Sequence, residues 1–191
     1  DLSHPSKESN RQMIQLSKAP VIASHSSARA LSDVSRNLDD DLLKMIQKNG
    51  GVVQTVAFRQ YVDVVKFSAN DKASQSLYEK IAKELGVQYL PMKEIGKLEG
   101  DELSEAYENY DKIMKMSQGR KSEINATYPP VDVKDFVNHI DYMVELIGID
   151  HVGISSDFDG GGGVMDWKDA SETFNVTLEL VRRGYSEEEI A

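Results

Sequence analysis

Three short stretches place a metal-ligating side chain where a β-strand would be ending: Asp1-Leu2-Ser3-His4, Ser24-His25-Ser26-Ser27 and Ser155-Ser156-Asp157-Phe158-Asp159-Gly160. In the second, Ala19-Pro20-Val21-Ile22-Ala23 has the composition of a buried parallel strand, and polar His25 follows directly. In the third, His151-Val152-Gly153-Ile154-Ser155 runs into Asp157. Imidazoles and a carboxylate at successive strand ends suit a divalent transition metal, most often zinc, whose catalytic form keeps a position open for water. A lone histidine is more often structural. His139, inside a helical pattern, and His151, at the opening end of a strand, are best read that way. Asp157 and Asp159 stand two apart, on the same side of an extended chain, so alternation does not choose between them. Gly160 to Gly163 lack the Lys-Ser/Thr helix start of a phosphate cradle and read as a flexible loop at a site mouth.

The elements that must hold these residues alternate. A helix is expected over 6–17 with Ser6 as N-cap, and a second over 39–49, begun by three aspartates and ended by Gly50-Gly51. A strand follows over 51–58, and Val133, Phe136, Val137, Ile140, Val144 and Ile147 mark a helix leading to the strand at 151. Such alternation specifies a parallel α/β sheet, open or closed. Between about 64 and 130 it gives way to two amphipathic helices, carried by Leu77, Ile81 and Leu85 and by Leu103, Ala106, Tyr107, Tyr110, Ile113 and Met114. That insertion either covers a site as a lid, packs on the periphery, or mediates self-association into a homo-oligomer.

A net charge of −10 argues against nucleic acid as a partner. The absence of cysteine excludes disulfides and thiolate metal sites. No run of about 18 apolar residues is available to span a membrane, and the compartment is left open. A complete eight-stranded barrel typically takes about 250 residues, the chain opens within a motif, and Ser186 with Glu189 begins a helix just before the end. A fragment is therefore expected.

The segments DLSHPS, APVIASHSSAR, DVSRNLDDDLL and GIDHVGISSDFDG resemble, in order and approximate spacing, the C-terminal half of the membrane (renal) dipeptidase family of zinc peptidases, in the amidohydrolase superfamily. The resemblance implies an α/β fold. It would be the C-terminal portion of a (β/α)8 TIM-like metallo-dependent hydrolase barrel, from about the end of strand 5 to strand 8, filling 1–191 with the insertion at 64–130. It also implies two zinc ions in the full-length enzyme and a dipeptide substrate. His4 and His25 match ligands of one metal. Asp157, the first aspartate of the family's Asp-Phe-Asp-Gly motif, matches the residue that exchanges protons with water and the leaving amine, and Asp159 becomes a turn residue. Arg36 matches an arginine that clamps the substrate's carboxylate. The family's His-x-Asp metal pair and bridging Glu have no counterpart in the chain. In Phe58-Arg59-Gln60-Tyr61 the aromatic is displaced, which makes Tyr61 the weaker substrate contact and brings Arg59 to bear on substrate preference. Two rivals remain: a related hydrolase acting on a cyclic amide or lactone or as a deaminase, and a barrel relative without catalysis.

Overall fold

The computed structural model describes residues 1–191 and divides into two compact units, residues 1–67 with 130–191, and residues 68–129. In the first, β1 (Ile22–Ala23), β2 (Val52–Val56) and β3 (Val152–Ser155) form a parallel sheet in chain order, with Ala23 opposite Val53 and Val53 opposite Val152. Leu2 N–H donates to the Ile22 carbonyl at 2.8 Å, so the segment before His4 continues the sheet beyond β1. β1 is shorter than its apolar run because Pro20 has no N–H and Val21 gives its own to Asn49 Oδ1.

The crossover helices cover one face. α1 (Lys7–Leu16) is capped by Ser6, and α2 (Asp40–Asn49) by the Asp39 carboxylate, which accepts from Leu42 N–H. α2 ends where Gly50 takes φ +77°, a conformation that favours glycine. α8 (Val133–Ile147) opens with a reciprocal Asp132–Asp135 capping box and is the central packing element. Met143 and Ile147 join Leu42, Leu43, Ile46 and Val53 in one core. Phe136, Val137 and Ile140 join Trp167, Val176 and Leu180 in another, the last two from α9 (Phe174–Arg182). The opposite sheet face carries Gln54, which lies across Gly153 so closely that a β-carbon there would collide with its amide. His151 falls in a 3-10 turn before β3 rather than in the strand, and its Nδ1 donates to the Gly51 carbonyl at 2.7 Å.

The second unit is helical. Between β2 and α8 the chain forms α3 (Arg59–Val62), α4 (Val64–Leu85), α5 (Met92–Ile95), α6 (Gly100–Ser117) and α7 (Lys121–Thr127). The short α5 and α7 add to the two amphipathic helices expected over 64–130. Tyr78, Ile81 and Ala82 of α4 pack on Ile113 of α6, and Arg120 forms a two-pronged ion pair with Glu84. A short α10 (Glu187–Ile190), capped by Ser186, follows α9 in the first unit. No helix is long and apolar enough to cross a membrane.

Candidate metal and substrate site

His4 and His25 meet at their ring nitrogens. The Nε2 atoms lie 2.8 Å apart, with ring centroids 4.8 Å apart and planes tilted by 58°. Each follows the end of a sheet segment, and His25 is locked in place from three sides. Its N–H donates to Ser3 Oγ at 3.0 Å, the next residue's N–H donates to the Gln54 carbonyl, and its Nδ1 is 2.9 Å from Ser24 Oγ. Ser24 Oγ also bonds the Asp1 carboxylate, which can only accept. The serine proton therefore belongs to Asp1, Nδ1–H donates to the serine oxygen, and His25 Nε2 carries its lone pair toward His4.

That arrangement passes a test of fit for a metal ion. Two nitrogens on one tetrahedral zinc sit roughly 3.3 Å apart for bonds of about 2.0–2.1 Å, so the imidazoles need separate by only about half an ångström. Burial holds His25 below its ordinary range, reinforced by His4 and Arg36 and opposed by Asp157, which keeps the ring in the neutral form a metal requires. Asp157 and Arg36 thus both act electrostatically on His25. The His4–His25 pair is not a complete site, since no group of three or more His, Asp or Glu side chains in the chain is arranged to hold an ion.

Asp157 stands two residues beyond β3 with φ +52°, an uncommon conformation for a residue with a β-carbon. The glycines after it are a tight turn rather than the flexible loop expected. Gly160 and Gly162 donate to the Asp157 carbonyl, and a β-carbon at Gly160 would strike the Asp157 carboxylate. Asp159 is exposed in this turn.

Arg36 projects from a loop closed at its base by Arg29 N–H to the Leu38 carbonyl and Leu38 N–H to the Ser27 carbonyl. Its guanidinium carbon lies 5.4 Å from the centroid of the Tyr61 ring, which in turn stacks on Phe58 with centroids 4.5 Å apart. Buried Asn37 fixes this contact by donating to the Ser32 and Tyr61 carbonyls, both at 2.8 Å. Arg36 Nη1 is buried without a hydrogen-bond partner, an unmet donor. Arg59 is exposed and lines a separate cleft with Lys168, Val131 and Gly163.

His139 has a structural place of its own. It is 1 % exposed, its Nδ1 accepts from Ala28 N–H at 3.0 Å, and its Nε2 donates to the Val62 carbonyl at 2.7 Å. It thus ties the His25 segment to the turn that carries Tyr61. The Asp1–Ser24–His25 relay and this bridge escape sequence reasoning, because their partners are 23 and 111 residues apart in the chain.

The chain is 31 % identical over its whole length to "Dipeptidase ataJ" of Aspergillus terreus, covering 32 % of that protein. It is 26 % identical to "Dipeptidase 3" of Rattus norvegicus, again over its whole length, covering 26 %. It therefore spans about a third of the length of the curated relatives it matches. Among solved structures, the probable dipeptidase PvdM from Pseudomonas aeruginosa superposes on the whole chain with a TM-score of 0.66 and 36 % identity, 46 % of that protein being covered. A metallo peptidase from Rhodobacter sphaeroides, liganded with a phosphinate mimic of the dipeptide L-Ala-D-Ala, shares the fold at 20 % identity, with a TM-score of 0.63 over the whole chain and 37 % of that protein. The family model for membrane dipeptidase (Peptidase family M19) matches residues 1–191, and the chain belongs to that family.

Proposed function

We propose that the chain is the C-terminal part of a metal-dependent dipeptidase, in which His4 and His25 hold one of two zinc ions, Arg36 binds the dipeptide's free carboxylate and Asp157 moves the proton. One observation carries this reading: two imidazole Nε2 atoms converge at 2.8 Å within electrostatic reach of a carboxylate and of an arginine with a buried, unmet donor. Zinc, when bound, supplies Lewis acidity that polarises the scissile carbonyl and acidifies water. The chain's own groups do the rest. Asp157 accepts a proton from the attacking water and delivers it to the departing amine nitrogen. Arg36 meets the planar carboxylate with a matching fork of donors, and Tyr61 serves as the platform beneath it.

The three parallel strands in chain order, the pairing of Leu2 beyond β1 and the polar Gln54 on the face away from the helices support strands six to eight of a (β/α)8 barrel. In that reading residues 1–4 end the fifth strand and 64–130 are an insertion in one barrel domain. The remaining zinc ligands come from outside this chain. Metal analysis of the full-length protein, with hydrolysis of dipeptides before and after chelation, tests the function. Zinc-dependent cleavage supports it, and a metal-free protein without peptidase activity contradicts it.

A further inference from the structure

A pocket of about 280 Å3, walled by His4 and Arg36, lies beside the N-terminal turns of α1 and α2. The pocket thus has ample room for an amino-acid side chain. Its other polar walls include Lys7, Asn10, Arg29 and Asp39. Three cations thus meet one carboxylate, a local reversal of sign on a chain of net charge −10.

These cations are not equally free. Lys7 is paired with Asp39, which is also committed to capping α2. Arg29 faces Asp33 at 3.1 Å, whose side chain is 89 % exposed, and also acts electrostatically on Asp39, which is already paired with Lys7. An ion pair so open to water contributes about 0–1 kcal/mol, leaving Arg29 available to a ligand. Arg29 Nε, Arg36 Nη1, Asn10 Oδ1 and Asn37 Oδ1, all on lining residues, are buried without a hydrogen bond. The guanidinium nitrogens need acceptors. The amide oxygens need donors, a role waters entering with the ligand can fill.

We propose that this pocket receives the side chain of the substrate's C-terminal residue and selects an acidic one, with Arg29 as the specificity-determining residue. The inference rests on the dipeptidase reading. If Arg36 holds the free carboxylate and the scissile carbonyl sits at the His4–His25 pair, the C-terminal residue is suspended between two walls of the pocket. Its side chain then adjoins Arg29, whose paired donors match a second carboxylate as an amide side chain cannot.

The test compares alanyl-aspartate with its isostere alanyl-asparagine in the full-length zinc-loaded protein, using each configuration of the C-terminal residue. The expected kcat/KM ratio favours aspartate at least tenfold in the preferred configuration, and Arg29→Gln brings it to within about twofold. Because both substrates are read on one preparation, the ratio does not depend on the fraction folded. Equal wild-type rates on the two dipeptides would overturn the acidic subsite and leave the hydrolase reading intact. A preference that survives Arg29→Gln would overturn the role of Arg29. Failure to cleave these dipeptides and alanyl-alanine alike would overturn the hydrolase reading and the subsite with it.

Discussion

The Arg36 guanidinium lies over the Tyr61 ring at 5.4 Å, and the residue next to Arg36, Asn37, holds the Tyr61 carbonyl at 2.8 Å. Cation and platform are therefore set by one loop. Arg36→Met should weaken cleavage of a dipeptide relative to its C-terminal amide by about 1.5–3 kcal/mol, the scale of a hydrogen bond to a charged group. Tyr61→Leu should cost about 0.5–1 kcal/mol on the same comparison, and Tyr61→Phe almost nothing, because the ring face and not the hydroxyl meets the cation. Equal losses on free and amidated substrate would make Arg36 a structural residue.

Ser24 transmits the Asp1 carboxylate to His25 Nδ1. Such outer partners fix a ligand's tautomer and orientation, and their loss typically lowers metal affinity by about 10- to 100-fold. Ser24→Ala in the full-length protein should show this in a competitive chelator titration, with little change in thermal midpoint. Unaltered affinity would mean that the relay does not govern His25.

Asp157→Asn preserves shape and suits a left-handed backbone, which asparagine tolerates, but removes the proton acceptor. Turnover should fall by roughly a hundredfold or more with KM little changed. Asp159→Asn, in the exposed turn, should have a minor effect; a larger loss there would reverse the two assignments.

His25 was legible as a candidate because it follows an apolar run that reads as a buried strand, whereas His4 and the choice of Asp157 over Asp159 came from the family resemblance. The helices over 7–16, 40–49 and 133–147 were legible for a related reason: cap, periodicity and terminator agree at each. What could not be read were contacts made by folding back. Nothing near Asp1 announces Ser24, and the four glycines look flexible until the close approach of the Asp157 carboxylate to Gly160 and of the Ser156 carbonyl to Gly162 shows why side chains are excluded there. Likewise, nothing in the sequence announces that the displaced aromatic Tyr61 stacks on Phe58 with the Arg36 cation above it.

Burial lowers the His139 pKa against the opposing pull of the Val62 carbonyl and of Asp63 and Asp135. The neutral ring is the one that accepts from Ala28, so protonation breaks that bond. With the folded pKa below the unfolded value near 6.5, the stabilisation is fully present above pH 6.5 and is lost as pH falls through the folded value. Between those two values the slope is up to about 1.4 kcal/mol per pH unit. Urea unfolding at pH 7.5 and 5.5 should show a smaller pH effect for His139→Gln than for the wild type; identical effects would remove His139 from the acid response.

The most direct measurement is the zinc content of the full-length protein and of its His25→Ala variant. The account requires two equivalents in the wild type and about one fewer in the variant, because a site that loses one of its few protein ligands loses most of its affinity. Unchanged stoichiometry would remove His25, and with it the converging His4–His25 pair, from the metal site.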